Sequence, residues 1–157
     1  MWMEAGLPDR LKRTGGAPKV GIVHLGPGAF FRAFNAIYTD EVRGDAPWGI
    51  CAVSLKSPTA RDQLMPQGGA YTAVELGPEG EVRRVIGSIA RVLVAPEDPA
   101  AVVDAMADPA VRIVSLTITE KGYCHNPSTG ALDPAHPDIV HDLENLGAPR
   151  SAVGFIC

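Results

Sequence analysis

The stretch that decides the fold is Lys19-Val-Gly-Ile-Val-His-Leu-Gly-Pro-Gly-Ala-Phe30. Its first part, up to Leu25, is short, apolar and rich in β-branched residues, and it lies between Pro18 and Gly26. Such a run, without polar alternation, is typical of a strand buried on both faces of a parallel sheet. The two glycines that follow predict a tight turn directly after this strand.

The next segments complete the repeating unit of an α/β protein. Residues 29–42 carry apolar side chains near helical spacing, and Gly44 and Pro47 end that pattern. Residues 48–55 form a second short apolar run, which we interpret as a second buried strand. The opening of the chain therefore predicts a strand, a glycine turn, a helix and a strand, which together form a βαβ unit.

The middle of the chain departs from this alternation. Two runs of strand-forming residues flank Gly77-Pro-Glu-Gly80, a turn signal, and predict a β-hairpin inserted into the α/β pattern. Asp98 followed by Pro99 predicts the start of a helix. The other expected elements are a short helix at 59–65, hairpin strands at 71–76 and 81–86, an extension of the hairpin at 88–94, a third buried strand at 111–118, a loop at 119–133 and a short helix at 137–145.

The glycine turn has the chemistry of a dinucleotide-binding turn. A pyrophosphate must approach the backbone closely, so we expect Gly26 to permit the tight turn and Gly28 to leave room for the phosphates. The helix that follows directs free N–H groups and a partial positive charge at the anion, and Arg32 adds a fork of donors. The residues predicted to bind the cofactor here are Gly26, Pro27, Gly28, Ala29, Phe30 and Arg32.

Two features of the usual dinucleotide fingerprint are missing. Phe31 occupies the position of the third glycine. At the end of the second strand, where a carboxylate normally binds the ribose 2′-hydroxyl, the sequence is Ser54-Leu-Lys-Ser57. Lys56 and the two serines could bind a 2′-phosphate instead, or Lys56 is an ordinary solvated lysine. For the turn itself, the alternative is a plain strand-to-helix connection.

The end of the third predicted strand is a second candidate contact for the cofactor. Thr119-Glu-Lys-Gly-Tyr123 follows this strand, and ligands of open parallel sheets bind beyond the carboxyl ends of the strands. We therefore expect Thr119 and Glu120 to meet the cofactor. Glu120 is the one candidate acid or base in the chain, or it orients a ribose hydroxyl. The alternative is a solvated loop carboxylate.

Composition and charge exclude several classes of protein. The chain has 157 residues, a net charge of −4 and scattered basic residues, which argues against binding to nucleic acid. No apolar run reaches the roughly 18 residues of a membrane span. The N-terminus carries no secretory signal, so we expect a cytoplasmic protein. Three widely spaced cysteines predict no disulfide framework, and Cys51 is expected to be a small buried hydrophobe.

The histidines do not predict a metal site. Their spacing from neighbouring cysteine and carboxylate residues fits no standard site, and we predict no metal. The residues weighed for this role are Cys124, His125, His136, Asp138, His141 and Asp142. His24 lies inside the first strand, where we expect a hydrogen-bonded core histidine. The chain contains neither a Gly-x-Ser-x-Gly elbow nor a P-loop, so hydrolase and kinase chemistry have no support.

Several separate motifs occur in a characteristic order along the chain. They are Gly26-x-Gly28-Ala29-Phe30-x-Arg32-Ala33, Tyr38-Thr39-Asp40, Trp48-Gly49-Ile50-Cys51, Val53-Ser54-Leu55, Tyr71-Thr72, Val85-Ile86-Gly87-Ser88 and Thr117-x-Thr119-Glu120-Lys121-Gly122-Tyr123. This series resembles the mannitol dehydrogenase family, the long-chain polyol-specific dehydrogenases, from about Lys19 to the last residue. Residues 53–58 and 119–125 look most like its fructuronate reductase or mannitol dehydrogenase branch.

The resemblance implies a chemistry as well as a fold. It implies NAD(H) or NADP(H), no metal, and hydride transfer between the nicotinamide and the carbonyl of a ketose or keto-sugar acid. It also implies a lysine as general acid or base and asparagines that polarise the carbonyl oxygen. Those residues lie in the later part of the family's chain and have no match here. Family members often carry histidines where this chain has Phe31 and Phe34, which affects fine specificity.

The fold class expected is α/β, a Rossmann-like parallel sheet with an inserted hairpin, truncated before the later strands and a helical C-terminal domain. Residues 1–17 are predicted to be a flexible lead-in and residues 18–157 an incomplete NAD(P)-binding domain. Residues 151–157 are apolar and end without a cap, which is typical of an interrupted domain. The alternative function is a non-catalytic nucleotide-binding or interaction module. Such a module would associate with itself or another segment to cover an open sheet edge.

Overall fold

The computed structural model describes residues 11–42, 44 and 46–157. Its strands are β1 (Val20–Leu25), β2 (Gly49–Ser54), β3 (Tyr71–Gly77), β4 (Gly80–Ile86), β5 (Ile89–Val94) and β6 (Ile113–Leu116). Its helices are α1 (Ala29–Ala33), α2 (Asn35–Val42), α3 (Thr59–Leu64), α4 (Pro99–Ala107), α5 (Pro137–Glu144) and α6 (Ala152–Ile156), with 3-10 turns at Met65–Gln67 and Glu120–Tyr123. The predicted α/β class is confirmed. None of the helices in the described ranges is long and apolar enough to cross a membrane.

Four strands form one parallel sheet in the order β5-β2-β1-β6. β3 and β4 form a separate antiparallel hairpin, as the Gly-Pro-Glu-Gly turn predicts. The chain leaves β1 for β2 on one side and later returns through β6 to the other side of β1. The direction of winding therefore reverses between β1 and β6, and open α/β sheets bind their ligands at such a switch point.

The prediction that residues 88–94 extend the hairpin is wrong. β5 pairs in parallel with β2, and Ser54 lies opposite Val94. The physical reason is burial, because most of β5 is buried whereas the hairpin strands are mostly exposed. A β-branched run fits either pairing, and the buried position of β5 selects the central sheet.

The single helix predicted over residues 29–42 is two helices. The backbone leaves helical geometry at Phe34, with φ −127° and ψ −78°. In an uninterrupted helix the carbonyl of Arg32 would accept from the N–H of Ala36. Here the hydroxyl of Tyr71, on the hairpin, donates to that carbonyl instead. A contact from a distant strand thus accompanies the break.

The third predicted strand is shorter and less buried than expected. β6 covers four residues of the predicted 111–118, and the side chains of Ile113 and Val114 are 45% and 39% exposed. β6 pairs with β1 on one side and forms the edge of the described sheet. The following segment, predicted to be loop, contains the 3-10 turn at Glu120–Tyr123.

The core occupies both faces of the parallel sheet, because successive side chains of a strand point to opposite faces. One face packs against α4 and α6 through Val23, Leu25, Cys51, Val53, Val102, Ala105 and Phe155. The other packs against α1, α2 and α3 through Phe31, Ala36, Ile50, Ala52, Leu64, Ile89 and Val92. Cys51 is fully buried, as predicted. α4 begins as predicted, with the Asp98 carboxylate accepting from the N–H of Ala101 at 2.9 Å.

The last two helices are joined through the buried carboxylate of Asp142. It accepts from the backbone N–H groups of Arg150 and Ser151 at 2.7 and 2.9 Å and from the Ser151 hydroxyl at 2.6 Å. His141 Nδ1 lies 3.0 Å from the same carboxylate. Burial alone raises the pKa of Asp142, but the bonds from Ser151 and His141 outweigh it, and the pKa is lowered. We call this cluster, together with Gly154, the Asp142 junction.

Arg13 attaches the segment before β1 to the rest of the fold. Residues 1–10 of the predicted lead-in lie outside the described residues. Arg13 donates to the carbonyl oxygens of Gly68, Gly87 and Ile89 at 2.6, 2.8 and 2.6 Å. The flexibility of residues 1–17 stays a prediction, with Arg13 as a fixed point within them.

Candidate functional site

A groove of about 400 Å³ lies beyond the carboxyl ends of β1, β2 and β6. The three strands end level with one another, because Leu25 lies opposite Val53 on one side and Leu116 on the other. The loops that follow them therefore meet at one edge of the sheet, at the switch point. The groove is lined by Gly26, Pro27, Gly28, Arg32, Ser54, Leu55, Lys56, Ser57, Thr59, Ala60, Gln63, Thr117, Ile118, Thr119 and Gly122.

Gly26 is required by the backbone of the turn. Its φ is +92°, in the region that favours glycine. A Cβ on Gly26 would also lie 2.6 Å from the carbonyl oxygen of Thr117. The Gly26 N–H donates to the carbonyl of Val53 at 2.9 Å. The missing side chain thus lets the end of β1 lie between β2 and the segment after β6.

Gly28 has a different role from Gly26. Its φ is −71°, which any residue adopts, and a Cβ added there would meet no protein atom closer than 4.0 Å. Gly28 lines the groove. The absent side chain therefore leaves open space for a ligand and relieves no contact within the protein.

A buried network of hydrogen bonds connects the glycine turn to β1 and β6. The Thr117 hydroxyl donates to the carbonyl of Gly26 at 2.8 Å, so its oxygen accepts from His24 Nε2–H at 2.9 Å. His24 Nδ1 then accepts from the Ser115 hydroxyl at 2.8 Å. Burial lowers the pKa of His24 to about 4, which keeps the ring neutral. The predicted hydrogen-bonded core histidine is confirmed, and it connects β1, β6 and the glycine turn.

Phe31 replaces the third glycine of the fingerprint by a ring stack. Its side chain is buried and lies parallel to the ring of His24, with centroids 3.8 Å apart and an angle of 12°. In the usual fingerprint the third glycine allows close packing between helix and strand. Here a flat aromatic contact joins α1 to β1, so the departure from the fingerprint is accommodated within the core.

The charged side chains that line the groove are both cationic. Arg32 lies at the α1 side, where its Nε donates weakly to the carbonyl of Gly28 at 3.4 Å. Lys56 lies at the β2 side and is exposed. No aspartate or glutamate occurs among the described residues that line the groove. An open glycine, two cations and several hydroxyls fit the phosphates of a dinucleotide.

Most of the residues predicted to bind the cofactor lie together in this groove, and three do not line it. Those that line it are Gly26, Pro27, Gly28, Arg32, Ser54, Lys56 and Thr119; the others are Ala29, Phe30 and Glu120. Sequence reasoning missed Thr59, Gln63 and Thr117. Thr59 and Gln63 lie on α3, whose position directly after β2 could have indicated them.

Glu120 does not line the groove. Its side chain is 87% exposed, and Oε1 lies 3.3 Å from His125 Nε2. His125 Nδ1 also lies 3.2 Å from the Glu120 carbonyl oxygen. Glu120 is therefore part of a local pair on the 3-10 turn after β6. A role as acid or base stays a prediction.

Two further cavities border the groove. One, of about 540 Å³, lies beyond Leu55 and Lys56 and contains Asp138, His141 and Arg150. The other, of about 610 Å³, lies between α1, α2 and the hairpin and shares Arg32 with the groove. Tyr71 lines the latter, and burial raises its pKa to about 12. Although this cavity is larger, it lies away from the switch point of the sheet.

The residues weighed for a metal site come together only in part. Cys124, His136 and Asp138 bring one ligand atom each within 4.8 Å of one another. His136 Nδ1, however, accepts from the N–H of Asp138 at 3.2 Å, which assigns the ring proton to Nε2 and leaves no lone pair for a metal. Burial, then Asp138, raises the pKa of the Cys124 thiol, which opposes the thiolate that a metal needs. The donor set does not favour a cation.

Comparison with known proteins relates these features to a family. A sequence profile described as the mannitol dehydrogenase Rossmann domain matches residues 20–154. A mannitol 2-dehydrogenase from Aspergillus clavatus is 46% identical over 148 residues, which cover 90% of this chain and 30% of that protein.

Solved structures agree with this sequence match. The Pseudomonas fluorescens mannitol 2-dehydrogenase ternary complex with NAD and D-mannitol has a TM-score of 0.82 at 43% identity, covering 89% of this chain and 30% of that chain. A D-sorbitol dehydrogenase in substrate-free form has a TM-score of 0.84 at 39% identity, with the same two coverages. The expected Rossmann-like domain is confirmed, and the chain spans 30% of the length of these relatives.

Proposed function

The chain belongs to the mannitol dehydrogenase family, and from that premise we propose that it is the NAD(P)-binding part of an oxidoreductase. The groove at the carboxyl edge of the sheet carries this proposal. Gly28 leaves space for a pyrophosphate, and Arg32 and Lys56 supply positive charge on either side. The nicotinamide, when bound, supplies the hydride chemistry. The protein binds and orients the dinucleotide and holds the turn rigid through His24 and Thr117.

A fluorescence titration of the purified chain with NADH tests this assignment. We expect saturable enhancement of nicotinamide emission, because the described groove provides the phosphate contacts of a dinucleotide site. Circular dichroism measured on the same sample shows whether the chain is folded. Absence of binding by a folded chain would contradict the proposal.

We further propose that the whole protein acts on fructose and mannitol or on fructuronate and mannonate. The support is the family, the name of the Aspergillus relative and the D-mannitol bound in the Pseudomonas complex. The motifs at residues 53–58 and 119–125 favour a polyol or sugar-acid substrate by resemblance. The test is NADH oxidation by the full-length protein with fructose, fructuronate and tagaturonate. No oxidation with any of the three would contradict this substrate class.

The chain alone is proposed to bind the cofactor without turnover. The lysine and asparagines that the resemblance assigns to catalysis have no match here, and Glu120 is an exposed partner of His125. We therefore expect no substrate-dependent NADH oxidation by the purified chain. Measurable oxidation that disappears in Glu120→Gln would overturn this proposal and assign the chemistry to Glu120.

An interaction module is the second candidate function, and one observation favours it. Apolar side chains around the cavity between α1, α2 and the hairpin are unusually exposed. They include Phe34 at 44%, Tyr38 at 60%, Val74 at 52% and Val82 at 57%. An apolar patch of this kind marks an interaction surface, which self-association of the chain would cover. Sedimentation over a concentration series tests it, since a strictly monomeric chain would contradict self-association.

We also propose a cytoplasmic location. Cys51, Cys124 and Cys157 are all free thiols in the structure, and free thiols are typical of a reducing compartment. Fractionation of cells that express the protein tests this proposal. Recovery in an extracytoplasmic fraction would contradict it.

A further inference from the structure

The base of the hairpin is bonded to the two helices that follow the glycine turn. Tyr71 is the first residue of β3 and lies opposite Ile86, the last residue of β4. Gly87 and Ser88 come directly after Ile86. The two ends of the hairpin therefore lie side by side, and three of these residues form hydrogen bonds with α1 or α2.

Two hydroxyl groups at this base donate to carbonyl oxygens of the helices. The Tyr71 hydroxyl donates to the carbonyl of Arg32 on α1, and the Ser88 hydroxyl donates to the carbonyl of Ala36 on α2 at 2.7 Å. Burial raises the pKa of Tyr71 to about 12, so its hydroxyl keeps the proton that it donates. The two bonds are chemically alike, but Arg32 lines the groove whereas Ala36 is buried in the core.

A third hydrogen bond continues the same row. The Gly87 N–H donates to the carboxylate of Asp40 on α2 at 3.0 Å. The three accepting residues, Arg32, Ala36 and Asp40, are spaced four positions apart, and residues with this spacing share one side of a helix. The base of the hairpin is therefore attached along one side of α1 and α2.

The position of Arg32 depends on such contacts because α1 has only five residues. A helix of this length is not stable in water by itself, and contacts with the rest of the protein hold it in place. Phe31 stacks on His24, and the carbonyl of the next residue, Arg32, is bonded to Tyr71. The Tyr71 bond thus fixes the backbone from which the Arg32 side chain reaches the groove.

We propose that Tyr71 is a positioning residue of the dinucleotide site: through the Arg32 carbonyl it holds the Arg32 guanidinium where that group binds the cofactor's pyrophosphate. This inference rests on the dinucleotide site proposed above. Tyr71 does not itself line the groove, so it acts only through Arg32. The inserted hairpin thereby contributes to cofactor affinity.

A double-mutant cycle measured by NADH fluorescence titration tests this role. Tyr71→Phe removes the hydroxyl and keeps the ring. Ser88→Ala is the matched control, because it removes the other hydroxyl that donates to these helices. Each substitution is made in the wild-type chain and in Arg32→Ala. Circular dichroism and urea unfolding show whether every variant is folded.

We expect Tyr71→Phe to weaken NADH binding by about three- to tenfold in the wild-type chain and to have no further effect in Arg32→Ala. Ser88→Ala should lower the urea midpoint while changing NADH affinity by less than about twofold. Unchanged NADH affinity in folded Tyr71→Phe, or an equal loss with and without Arg32, would overturn the inference and leave the dinucleotide site standing. Absence of NADH binding by the folded wild-type chain would overturn the proposed function as well.

Hydrogen exchange of the wild-type chain tests the same coupling without any variant. Coupling between two sites is reciprocal, so NADH that binds Arg32 should also stabilise the Tyr71 bond. Saturating NADH should therefore slow amide exchange in β3 by about threefold or more, although no residue of β3 lines the groove. Unchanged exchange in β3 together with slower exchange at the glycine turn would overturn the inference.

Discussion

The glycine-turn groove and the Asp142 junction are held in opposite ways. The groove is shaped by backbone that approaches backbone, since a Cβ on Gly26 would lie 2.6 Å from the Thr117 carbonyl oxygen. The junction is held by one buried carboxylate that accepts three hydrogen bonds from Arg150 and Ser151. At the turn the groove is thus shaped by backbone alone, whereas the junction is formed by a carboxylate that packs against a glycine, Gly154. The first leaves room for a ligand, whereas the second leaves no room at all.

Removal of the carboxylate at the junction should have the largest effect on stability. Asp142→Ala leaves the hydroxyl and N–H of Ser151 buried without acceptors, and a broken buried charged network costs about 3–5 kcal/mol. We expect that loss in urea unfolding at neutral pH. The matched control is Asp104→Ala, an exposed aspartate on α4, with an expected change within about 0.5 kcal/mol. Equal stabilities of the two variants would show that the junction contributes nothing.

The two regions should lose their contributions to stability in different pH intervals as the solution is acidified. The pKa of His24 is lowered to about 4 from 6.5, so the unfolded state takes up a proton first as pH falls. Stability should therefore drop by about 3 kcal/mol between pH 6.5 and 4. The pKa of Asp142 is lowered from 3.8, so its contribution is lost only below that pH. Thermal unfolding from neutral pH to well below pH 3.8 measures both losses.

The control for the acid transition is His24→Gln. It removes the titrating ring while keeping a side chain that can hydrogen-bond Ser115 or Thr117. We expect its stability to be lower at pH 7 but nearly constant between pH 6.5 and 4. If wild type and variant lose stability in parallel over that interval, the loss arises from other groups, and the role assigned to the His24 ring is wrong.

Gly26→Ala should destabilise the protein by straining the backbone of the glycine turn. The substitution places a Cβ against the Thr117 carbonyl at a φ of +92°, and strain of this kind costs about 1–3 kcal/mol. Gly28→Ala is the matched control, because its Cβ meets open space at φ −71°. Urea unfolding should show a clear loss for the first variant and a small change for the second. Similar losses of stability in both variants would contradict the different roles assigned to Gly26 and Gly28.

Features that depend on interactions between neighbouring residues could be predicted from the sequence. β1, the turn and the cap at Asp98 are each encoded within a few consecutive residues, and all three were predicted. The grouping of Gly26 and Lys56 in one groove was also predictable, because parallel strands end at the same edge. The separate roles of Gly26 and Gly28 were predicted from chemistry, and the structure adds which one the protein itself requires.

The remaining features depend on contacts between distant residues. In the sequence, Phe31 is only a departure from the glycine fingerprint. The structure shows that its ring stacks on the ring of His24, with centroids 3.8 Å apart. From the sequence, Asp142 is only one of the residues weighed for a metal site. Its structural partner Ser151 lies nine residues further along the chain and was not predicted. The break at Phe34 accompanies a bond from Tyr71 on the hairpin. No local pattern encodes such pairs, since they arise from tertiary packing.

Gly28→Val gives the smallest change in the fold and the sharpest test of the comparison. Valine adopts the extended backbone of Gly28 without strain, and its side chain would project from the groove wall into open space. Stability should stay within about 1 kcal/mol of wild type, while NADH binding weakens by about tenfold or more because the side chain occupies the phosphate position.

The junction counterpart is Gly154→Ala, whose Cβ would lie 2.2 Å from Asp142 Oδ2. We expect that variant to lose stability. NADH fluorescence titration and urea unfolding of both variants measure the two effects independently. Unchanged NADH affinity in a folded Gly28→Val protein would move the dinucleotide away from the turn, because no ligand phosphate could then occupy the space that Gly28 leaves open.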